Sequence, residues 1–222
     1  MQLSHNGPLV TVLMPVYNAQ KDLRGAIDSI LNQSYPHFEF LIIDDGSVDE
    51  SANIIRSYSD TRIRFLQNDR NIKLVATLNR GIEEARGRYI ALMDADDLSH
   101  PKRIELQVAL LEKSKADICG SFFEVITEDG EMIRTIGAPL TPDAVVACLA
   151  NTVPFAHGSV MIRSAFLAEH HLRYTPDIDA EDFDLWIRMF EDGAKFVNCP
   201  ESLYQYREYA ISLSKVRKKG YA

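Results

Sequence analysis

The stretch Tyr89-Ile90-Ala91-Leu92-Met93-Asp94-Ala95-Asp96-Asp97 joins a continuous apolar run to three aspartates. The apolar part is typical of a buried strand, and the aspartates follow where that strand ends. If the strand continues through Asp94 and Asp96, both carboxylates point to the same side. Two such oxygen ligands suit Mg²⁺ or Mn²⁺, which binds through one or two carboxylates and substrate phosphates. The alternative is that an aspartate here caps a helix beginning near Pro101.

The segments before this stretch alternate between apolar runs and helical patterns. Apolar runs from Leu9 to Met14 (ended by Pro15) and from Phe38 to Ile43 predict buried strands, and Ile63 to Leu66 predicts a further strand. Helices are predicted over residues 20–33, after a capping box formed by Ser47 and Glu50, and from Leu74 to Ala85. Strands that are apolar on both faces and separated by helices indicate an α/β fold with a parallel sheet covered on both sides.

The pattern becomes mixed after residue 98. Predicted elements are a helix opened by Pro101, strands at Ile118 and from Phe122 to Ile126, a helix after Thr141, a short strand from Val160 to Ile162 and a helix over residues 181–191. No linker rich in Pro, Gly or Ser separates the two parts. We therefore expect one domain over residues 1–222, with a front half (1–98) that resembles a nucleotide-binding doubly wound sheet and a mixed back half (99–222) that could hold a second substrate.

Composition and charge indicate which classes of protein the chain can belong to. The chain has 222 residues, a net charge of −8 and 46% hydrophobic residues, which is typical of a globular protein and argues against a nucleic-acid partner. The acidic residues concentrate in three clusters, around Asp44, around Asp94 and over residues 177–184. Solvated loops are the simplest interpretation of each cluster, and a bound cation is the alternative.

Cysteine usage and hydropathy bear on the compartment. The cysteines are three in number and widely spaced, which favours reduced core residues of a cytoplasmic protein. The sequence shows no signal peptide and no apolar run of membrane-spanning length, so we expect at most peripheral membrane contact. A basic tail (Lys215, Arg217, Lys218 and Lys219) is either solvated or drawn to the anionic inner face of the cytoplasmic membrane.

Polar residues follow three of the four predicted front strands. They are the segments Pro15-Val16-Tyr17-Asn18, Asp44-Asp45-Gly46-Ser47 and Asp94-Ala95-Asp96-Asp97. Because ligands of open parallel sheets bind beyond the carboxyl ends of the strands, these segments should line one site. The chain has neither a GxGxxG motif nor a P-loop. A nucleotide diphosphate bound here would then need a cation to neutralise it.

Three further candidates lie in the second half. In Glu181-Asp182-Phe183-Asp184-Leu185-Trp186, a carboxylate either stabilises the start of a helix or acts as an acid or base. His157 is either a structural hydrogen-bonding residue or a site residue. Arg207 pairs either with a phosphate or with a surface acid. Spacing alone leaves each of these alternatives open.

Taken together, these segments resemble the family-2 glycosyltransferases, the large inverting group with the GT-A fold. The resemblance covers about residues 8–210 and is carried by the order and spacing of six segments. They are Val12 to Asn18, Ser29 to Ser34, Phe38 to Ser47, Leu78-Asn79-Arg80-Gly81-Ile82, Ala91 to Asp97 and Glu181 to Trp186. The pattern is closest to bacterial enzymes that build O-antigen, capsule or exopolysaccharide. It implies a Rossmann-like, mostly parallel sheet with a mixed portion on the acceptor side.

The resemblance also implies roles on the donor side. Residues 1–98 would be the nucleotide-sugar-binding half and residues 99–222 the acceptor-binding half. The expected donor is a nucleotide-diphosphate sugar that is UDP-linked and carries a hexosyl or N-acetylhexosaminyl group. Asp94 would face the ribose and diphosphate, and Asp96 would bind Mn²⁺ or Mg²⁺. The other donor-side residues implied are Pro15, Tyr17 and Asp45 around the base, Lys73 near it, and Arg207 in a loop that closes on the donor.

On the acceptor side, the resemblance implies a general base. Asp182 would remove the proton from the acceptor hydroxyl, with Glu181 beside it, and His157 and Trp186 would lie near the sugar and the acceptor. The acceptor would be a saccharide or a lipid-linked saccharide. The chain departs from the family pattern at Asn71-Ile72-Lys73, where many relatives have Asn-x-Gly, and at Leu92, where arginine is frequent.

Two other functions compete with sugar transfer. A sugar-1-phosphate nucleotidyltransferase would carry a basic, Gly-rich loop after the first strand, whereas Pro15-Val16-Tyr17-Asn18 contains neither glycine nor a basic residue. A non-catalytic subunit that binds nucleotide sugars would not need Asp94, Asp96 and Asp182 together.

Overall fold

A nine-stranded sheet forms the centre of the molecule. The computed structural model describes residues 7–150, 152–178 and 180–209. The strands are β1 (Val10–Val16), β2 (Phe38–Asp44), β3 (Ile63–Gln67), β4 (Tyr89–Leu92), β5 (Leu98–Ser99), β6 (Ile118–Ile126), β7 (Met132–Ile136), β8 (Met161–Arg163) and β9 (Phe196–Arg207). Their order is β3-β2-β1-β4-β8-β6-β9-β5, and β7 pairs with β6. The basic tail predicted to touch a membrane lies outside the described residues.

Helices connect the strands. They are α1 (Leu23–Leu31), α2 (Ser51–Arg56), α3 (Leu74–Glu84), α4 (Arg103–Ser114), α5 (Pro142–Leu149), α6 (Ser164–Glu169) and α7 (Glu181–Glu191), with a 3₁₀ turn at His157–Ser159. Among the helices in the described ranges, none is long and apolar enough to cross a membrane.

The front of the sheet confirms the predicted α/β architecture. β1 pairs in parallel with β2 and β4, and β2 pairs in parallel with β3. Alternate side chains of β1 enter opposite cores, with Val12 on one side and Leu13 on the other. Burial on both faces explains the unbroken apolar runs, because neither face of a covered parallel strand meets water.

The sequence predicted that Pro15 ends β1, and this is wrong. The strand continues to Val16, and Pro15 lies opposite Ile43 of β2. On the other side, the pairing with β4 stops at Leu13. Proline is tolerated there because no neighbouring strand on that side requires the backbone donor that proline lacks.

The capping box predicted at Ser47 and Glu50 is also absent. The hydroxyl of Ser47 accepts a hydrogen bond from the backbone amide of Asn18, at 2.9 Å, and α2 begins only at Ser51. The side chain of Asp49 accepts from the amide of Ser51, also at 2.9 Å. Ser47 therefore binds the segment after β1, and Asp49 rather than Ser47 binds the first amide of α2.

The rear of the sheet is mixed, as predicted. β6 and β9 run parallel, whereas β8 is antiparallel to both β4 and β6. Cys119 on β6 and Cys199 on β9 are free and buried, with sulfur atoms 3.9 Å apart, and Cys148 is free and partly buried. The short β5 pairs with β9, which brings the end of β9 beside the residues that follow β4.

Candidate functional site

The acidic segment after β4 is a turn rather than a continuation of the strand. The strand ends at Leu92, and the amide of Asp97 donates to the carbonyl of Asp94 across the turn at 3.4 Å. The expectation that Asp94 and Asp96 share one face of an extended strand is therefore wrong. Asp97 does not cap α4 either, since its carboxylate accepts from the backbone amide of Arg207 at 2.6 Å.

Crowding of these carboxylates shifts their pKa values in different directions. Burial raises the pKa of Asp96 to about 6, and the charge of Asp94 adds to the effect. Burial, with Asp94 and Asp96 nearby, raises the pKa of Asp97 well above the usual range. For Asp94, burial raises the pKa, but hydrogen bonds and charges from its neighbours lower it by more. At Asp96, burial and the neighbouring carboxylates thus outweigh the opposing charge of Arg207.

Asp94 is held between two rings. Its Oδ1 lies 3.6 Å from Nδ1 of His157, and the hydroxyl of Tyr204 lies 3.4 Å from its Oδ2. Burial lowers the pKa of His157, but the contact with Asp94 raises it by more, so that the net pKa lies above the usual value. Gly158 makes this approach possible, because a Cβ atom there would collide with the Tyr204 hydroxyl and with Asp94.

Three adjoining cavities follow the carboxyl edge of the sheet. The first, of about 270 Å³, is lined by Pro15, Val16, Tyr17, Asp45, Asn71, Lys73, Leu74 and Thr77. The second, of about 680 Å³, shares Pro15, Tyr17 and Leu74 with the first and adds Asp22, Asp94, Asp96 and Tyr209 among others. The third, of about 510 Å³, includes Asp94, His157, Phe155, Asp182 and Tyr206. Asp94 therefore lines both the second and the third cavity.

Asp45 organises the wall of the first cavity. Its carboxylate accepts hydrogen bonds from Asn68 Nδ2 at 2.7 Å, and from the amides of Ile72 and Lys73 at 2.8 and 2.9 Å. Lys73 has φ +79° and ψ 158°, a conformation that residues other than glycine rarely adopt. The departure from Asn-x-Gly thus places a lysine in a backbone geometry that suits glycine.

Arg207 is buried, and the protein itself provides partners for its guanidinium. Nε donates to the carbonyl of Asp96 at 2.8 Å, and Nη1 to the carbonyl of Glu128 at 2.7 Å. Nε also lies 3.4 Å from the carboxylate of Asp22. The Tyr209 hydroxyl donates to the same carboxylate at 2.6 Å. In this structure Arg207 fixes the acidic turn, and sequence reasoning had considered for it only a phosphate or a surface acid.

The first turn of α7 contains carboxylates with different surroundings. Asp182 lines the third cavity, whereas Glu181 does not. Asp184 instead binds the protein, since it accepts from Thr175 at 2.8 Å and from Arg188 at 2.7 Å. Asp179, which belongs to the same acidic cluster in the sequence, lies outside the described residues.

Trp186 lies behind the third cavity. It is fully buried and packs edge-on against Phe155, with ring centroids 5.6 Å apart. Its indole Nε1 has no hydrogen-bond partner among the described residues. Trp186 therefore contacts the cavity through Phe155.

Several side chains around the site were not predicted. They are Asp22 and Tyr204 in contact with the residues above, Tyr174 bonded to His157, and Arg103 buried behind the turn. Of these side chains, only Arg103 could have been predicted from the sequence pattern. It shares the buried face of α4 with Gln107 and Leu111 at intervals of four residues, where apolar residues are the rule.

The residues of the turn fit a divalent cation only in part. Within the described ranges, no group of three or more His, Cys, Asp or Glu side chains is arranged to hold a metal ion. Asp94 and Asp96 nevertheless line one cavity and offer hard oxygen ligands. Such a pair suits Mg²⁺ or Mn²⁺ when phosphate oxygens complete the coordination.

Comparisons with known proteins agree with this architecture. A solved structure of the mannosyltransferase PcManGT from Pyrobaculum calidifontis, in complex with GDP-Man and Mn²⁺, superposes with a TM-score of 0.73. The two sequences are 19% identical, and the match covers 96% of this chain and 60% of that one. This likeness confirms the expected GT-A fold, and this chain spans about 60% of that protein's length.

Sequence relatives identify the family. EpsE of Bacillus subtilis is 38% identical over 92% of this chain and 74% of its own length. The Escherichia coli protein WfgD, a UDP-Glc:alpha-D-GlcNAc-diphosphoundecaprenol beta-1,3-glucosyltransferase, is 27% identical over 93% of this chain and 79% of its own. The family model described as glycosyl transferase family 2 matches residues 11–172. The chain therefore belongs to glycosyl transferase family 2, as the sequence motifs implied.

Proposed function

We propose that this glycosyltransferase moves a sugar, with inversion, from a UDP-linked donor to a hydroxyl of a saccharide or lipid-linked saccharide. The observation that carries the proposal is the row of three adjoining cavities in which Asp94 lines both the second and the third. A donor in the first two cavities would present its sugar to an acceptor in the third. The name of WfgD, which includes both UDP-Glc and a lipid-linked acceptor, supports these substrate classes.

The first cavity has the size and the lining for the nucleobase and ribose. Tyr17 is half exposed there, so its ring is free to stack on a base, and Pro15 forms the adjoining wall. Asp45 would accept a hydrogen bond from the uracil ring with the lone pairs that its three protein donors leave free. The ammonium of Lys73 would lie near the base, and Asp94 would face the ribose and the diphosphate.

Mn²⁺ or Mg²⁺ would neutralise the diphosphate in the second cavity. Asp96 is the residue that we expect to bind the ion, because its carboxylate lies in the cavity and because burial and the charge of Asp94 raise its pKa. When bound, the ion would act as a Lewis acid on the diphosphate oxygens. Arg207 would hold the turn in place and would contact the donor only if the end of β9 moves.

Asp182 is the proposed general base, with Glu181 beside it. Its carboxylate would take the proton of the acceptor hydroxyl while that oxygen forms a bond to the anomeric carbon. The bond between this carbon and the diphosphate oxygen breaks on the opposite side, which inverts the configuration. His157 lies at the boundary between donor and acceptor, and Trp186 supports the acceptor cavity from behind.

The same substrates suggest where the enzyme works. Nucleotide sugars are cytoplasmic, and a lipid-linked acceptor would lie at the inner face of the cytoplasmic membrane. We therefore place the reaction at that surface, in the synthesis of a cell-surface polysaccharide such as O-antigen or capsule.

A donor screen tests the proposal. UDP-, GDP- and dTDP-sugars are incubated with Mn²⁺ and saccharide acceptors, and the anomeric configuration of the product is read by NMR. We expect turnover with a UDP-sugar and an inverted product. Turnover with GDP-sugars alone, or a retained configuration, would contradict the proposal. Pyrophosphate release from UTP and a sugar phosphate would indicate a nucleotidyltransferase instead.

A substitution of Asp182 tests the base. Asp182→Asn should lower kcat by on the order of 10²–10⁴-fold while UDP binding in the presence of Mn²⁺ stays unchanged. Glu191→Gln, at the exposed end of the same helix, is the control and should keep full activity. Transfer by Asp182→Asn at a rate near that of the wild type would exclude Asp182 as the base.

A further inference from the structure

A chain of side-chain contacts connects helix α3 to the carboxylate of Asp94. It begins at Asn79, which belongs to one of the six family-like segments but lies in none of the three cavities. The Asn79 side chain binds the backbone of Tyr174 twice. Nδ2 donates to the Tyr174 carbonyl at 2.8 Å, and the Tyr174 amide donates to Oδ1 at 2.8 Å. This pair of hydrogen bonds fixes the position and direction of the Tyr174 backbone, although the two residues are 95 positions apart.

Tyr174 continues the chain to His157. Its hydroxyl lies 2.9 Å from Nε2 of the imidazole, and the two rings meet edge to face with centroids 5.8 Å apart. The side chain of Tyr174 is buried, so the hydroxyl depends on a protein partner. Since Nδ1 of His157 faces Asp94, the imidazole is held on both of its nitrogens.

The far end of the chain is the boundary between donor and acceptor. Asp94 lines both the second and the third cavity, and Tyr204 contacts its other oxygen. A rotation of the His157 ring would leave Oδ1 of Asp94 without its neighbour. The orientation of Asp94 therefore depends in part on the His157 ring, whose far nitrogen is bound by Tyr174.

We propose that Tyr174 is a positioning residue for sugar transfer, anchored by Asn79 and acting on Asp94 through His157. The proposal rests on the proposed function for its effect on rate, but the orientation of His157 is a property of the folded chain alone. If Tyr174 served packing only, its hydroxyl would be dispensable to His157 and to the reaction.

Tyr174→Phe separates these two roles, because it keeps the buried ring and removes the hydroxyl. We expect kcat to fall by about five- to tenfold, the effect of one lost hydrogen bond, with the KM for the donor unchanged within about twofold. Asn79→Ala, which frees the Tyr174 backbone, should change kcat in the same direction. Tyr89→Phe is the matched control, since that buried tyrosine lies at the amino end of β4, binds Glu112 at 2.6 Å and lines none of the three cavities.

Imidazole ¹⁵N NMR of the ligand-free protein gives a readout that needs no substrate. The His157 signals, assigned with His157→Gln, should shift in Tyr174→Phe and stay in place in Tyr89→Phe. Unchanged His157 signals in Tyr174→Phe would overturn the proposal even if the wild type shows no transfer with any donor. Where the wild type is active, a wild-type kcat in Tyr174→Phe would also overturn it.

Discussion

The backbone amide of Arg207 donates to the carboxylate of Asp97 at 2.6 Å, which ties the last residue of β9 to the acidic turn after β4. The Arg207 side chain then binds the carbonyl of Asp96 in the same turn. Arg207, near the end of the described chain, thus fixes the segment that we expect to face the donor diphosphate.

Substitutions of Asp97 should show this connection in stability. Asp97→Ala leaves the buried amide of Arg207 without its acceptor and should lower the free energy of unfolding by about 1–3 kcal/mol. Asp97→Asn retains an oxygen acceptor and should lower it less. Urea unfolding measures both, with the exposed Asp143→Ala as control. Equal losses for the alanine and asparagine variants would contradict the role of this hydrogen bond.

The backbone of Lys73 predicts a stabilising substitution. Lys73→Gly should raise the free energy of unfolding by about 1–3 kcal/mol, because glycine adopts this conformation without steric conflict. Lys73→Ala keeps the Cβ atom and should recover none of that gain. The urea unfolding midpoints of the two variants test this explanation. If Lys73→Gly and Lys73→Ala have the same midpoint, the gain in stability cannot come from relieved backbone strain.

Buried Arg103 predicts a large loss of stability. Its Nη2 donates to the carbonyls of Leu92 and Val160 at 2.8 and 3.3 Å, where β4 ends and β8 begins. Arg103→Met should cost about 2–4 kcal/mol, because the Leu92 carbonyl, the Val160 carbonyl and Gln107 each lose one buried hydrogen bond, although Val160 still accepts from the Leu92 amide. Lys102→Met, at the exposed neighbouring position, should change stability by less than about 0.5 kcal/mol. Similar unfolding midpoints for the two variants would contradict this prediction.

Asp184 gives a pH dependence with a defined sign. Burial raises its pKa, but hydrogen bonds from Arg188 and Thr175 lower it by more, so the net pKa lies below the usual value. Its contribution to stability is therefore complete above the unfolded pKa of about 4 and is lost as the pH falls through the folded pKa. Because the pair is partly exposed, the contribution is about 1 kcal/mol or less. Asp184→Asn should thus unfold more readily than the wild type at pH 7, with the difference shrinking towards pH 3 in acid titrations of unfolding.

The proposed cation predicts a requirement for metal. Chelation by EDTA should abolish transfer, and Mn²⁺ should restore it. Asp96→Asn should raise the Mn²⁺ concentration needed for half activity by on the order of 10–100-fold. Calorimetry of UDP binding with and without Mn²⁺ provides a second readout. Equal UDP affinity under both conditions, together with full activity in EDTA, would exclude the ion.

Sequence patterns were sufficient for the front half of the fold. The runs that became β1, β2 and β4 are buried on both faces, so their hydrophobicity alone marks them, whereas the edge strand β3 is only partly buried. The proline, glycine and aspartate segments that follow β1, β2 and β4 lie at one edge of the sheet. The family resemblance rested on the same segments. The sequence-based predictions were wrong at Ser47 and Pro15. Contacts between the segments after β1 and β2, and the pairing of β1 with β2, replaced the expected cap and strand end.

The sequence by itself determined the front strands, the family and the position of the acidic segment, because hydrophobic period and short motifs are local properties of the chain. Only the tertiary structure decided the partners of that turn. Asp94 lies against His157 and Tyr204, and Asp97 against Arg207, all between 63 and 110 positions further along the chain. Such contacts follow from the sheet order, in which β8 pairs with β4 and β9 pairs with β5, and no local pattern records them. For the same reason, the path from Asn79 through Tyr174 to His157 became visible only in the folded protein.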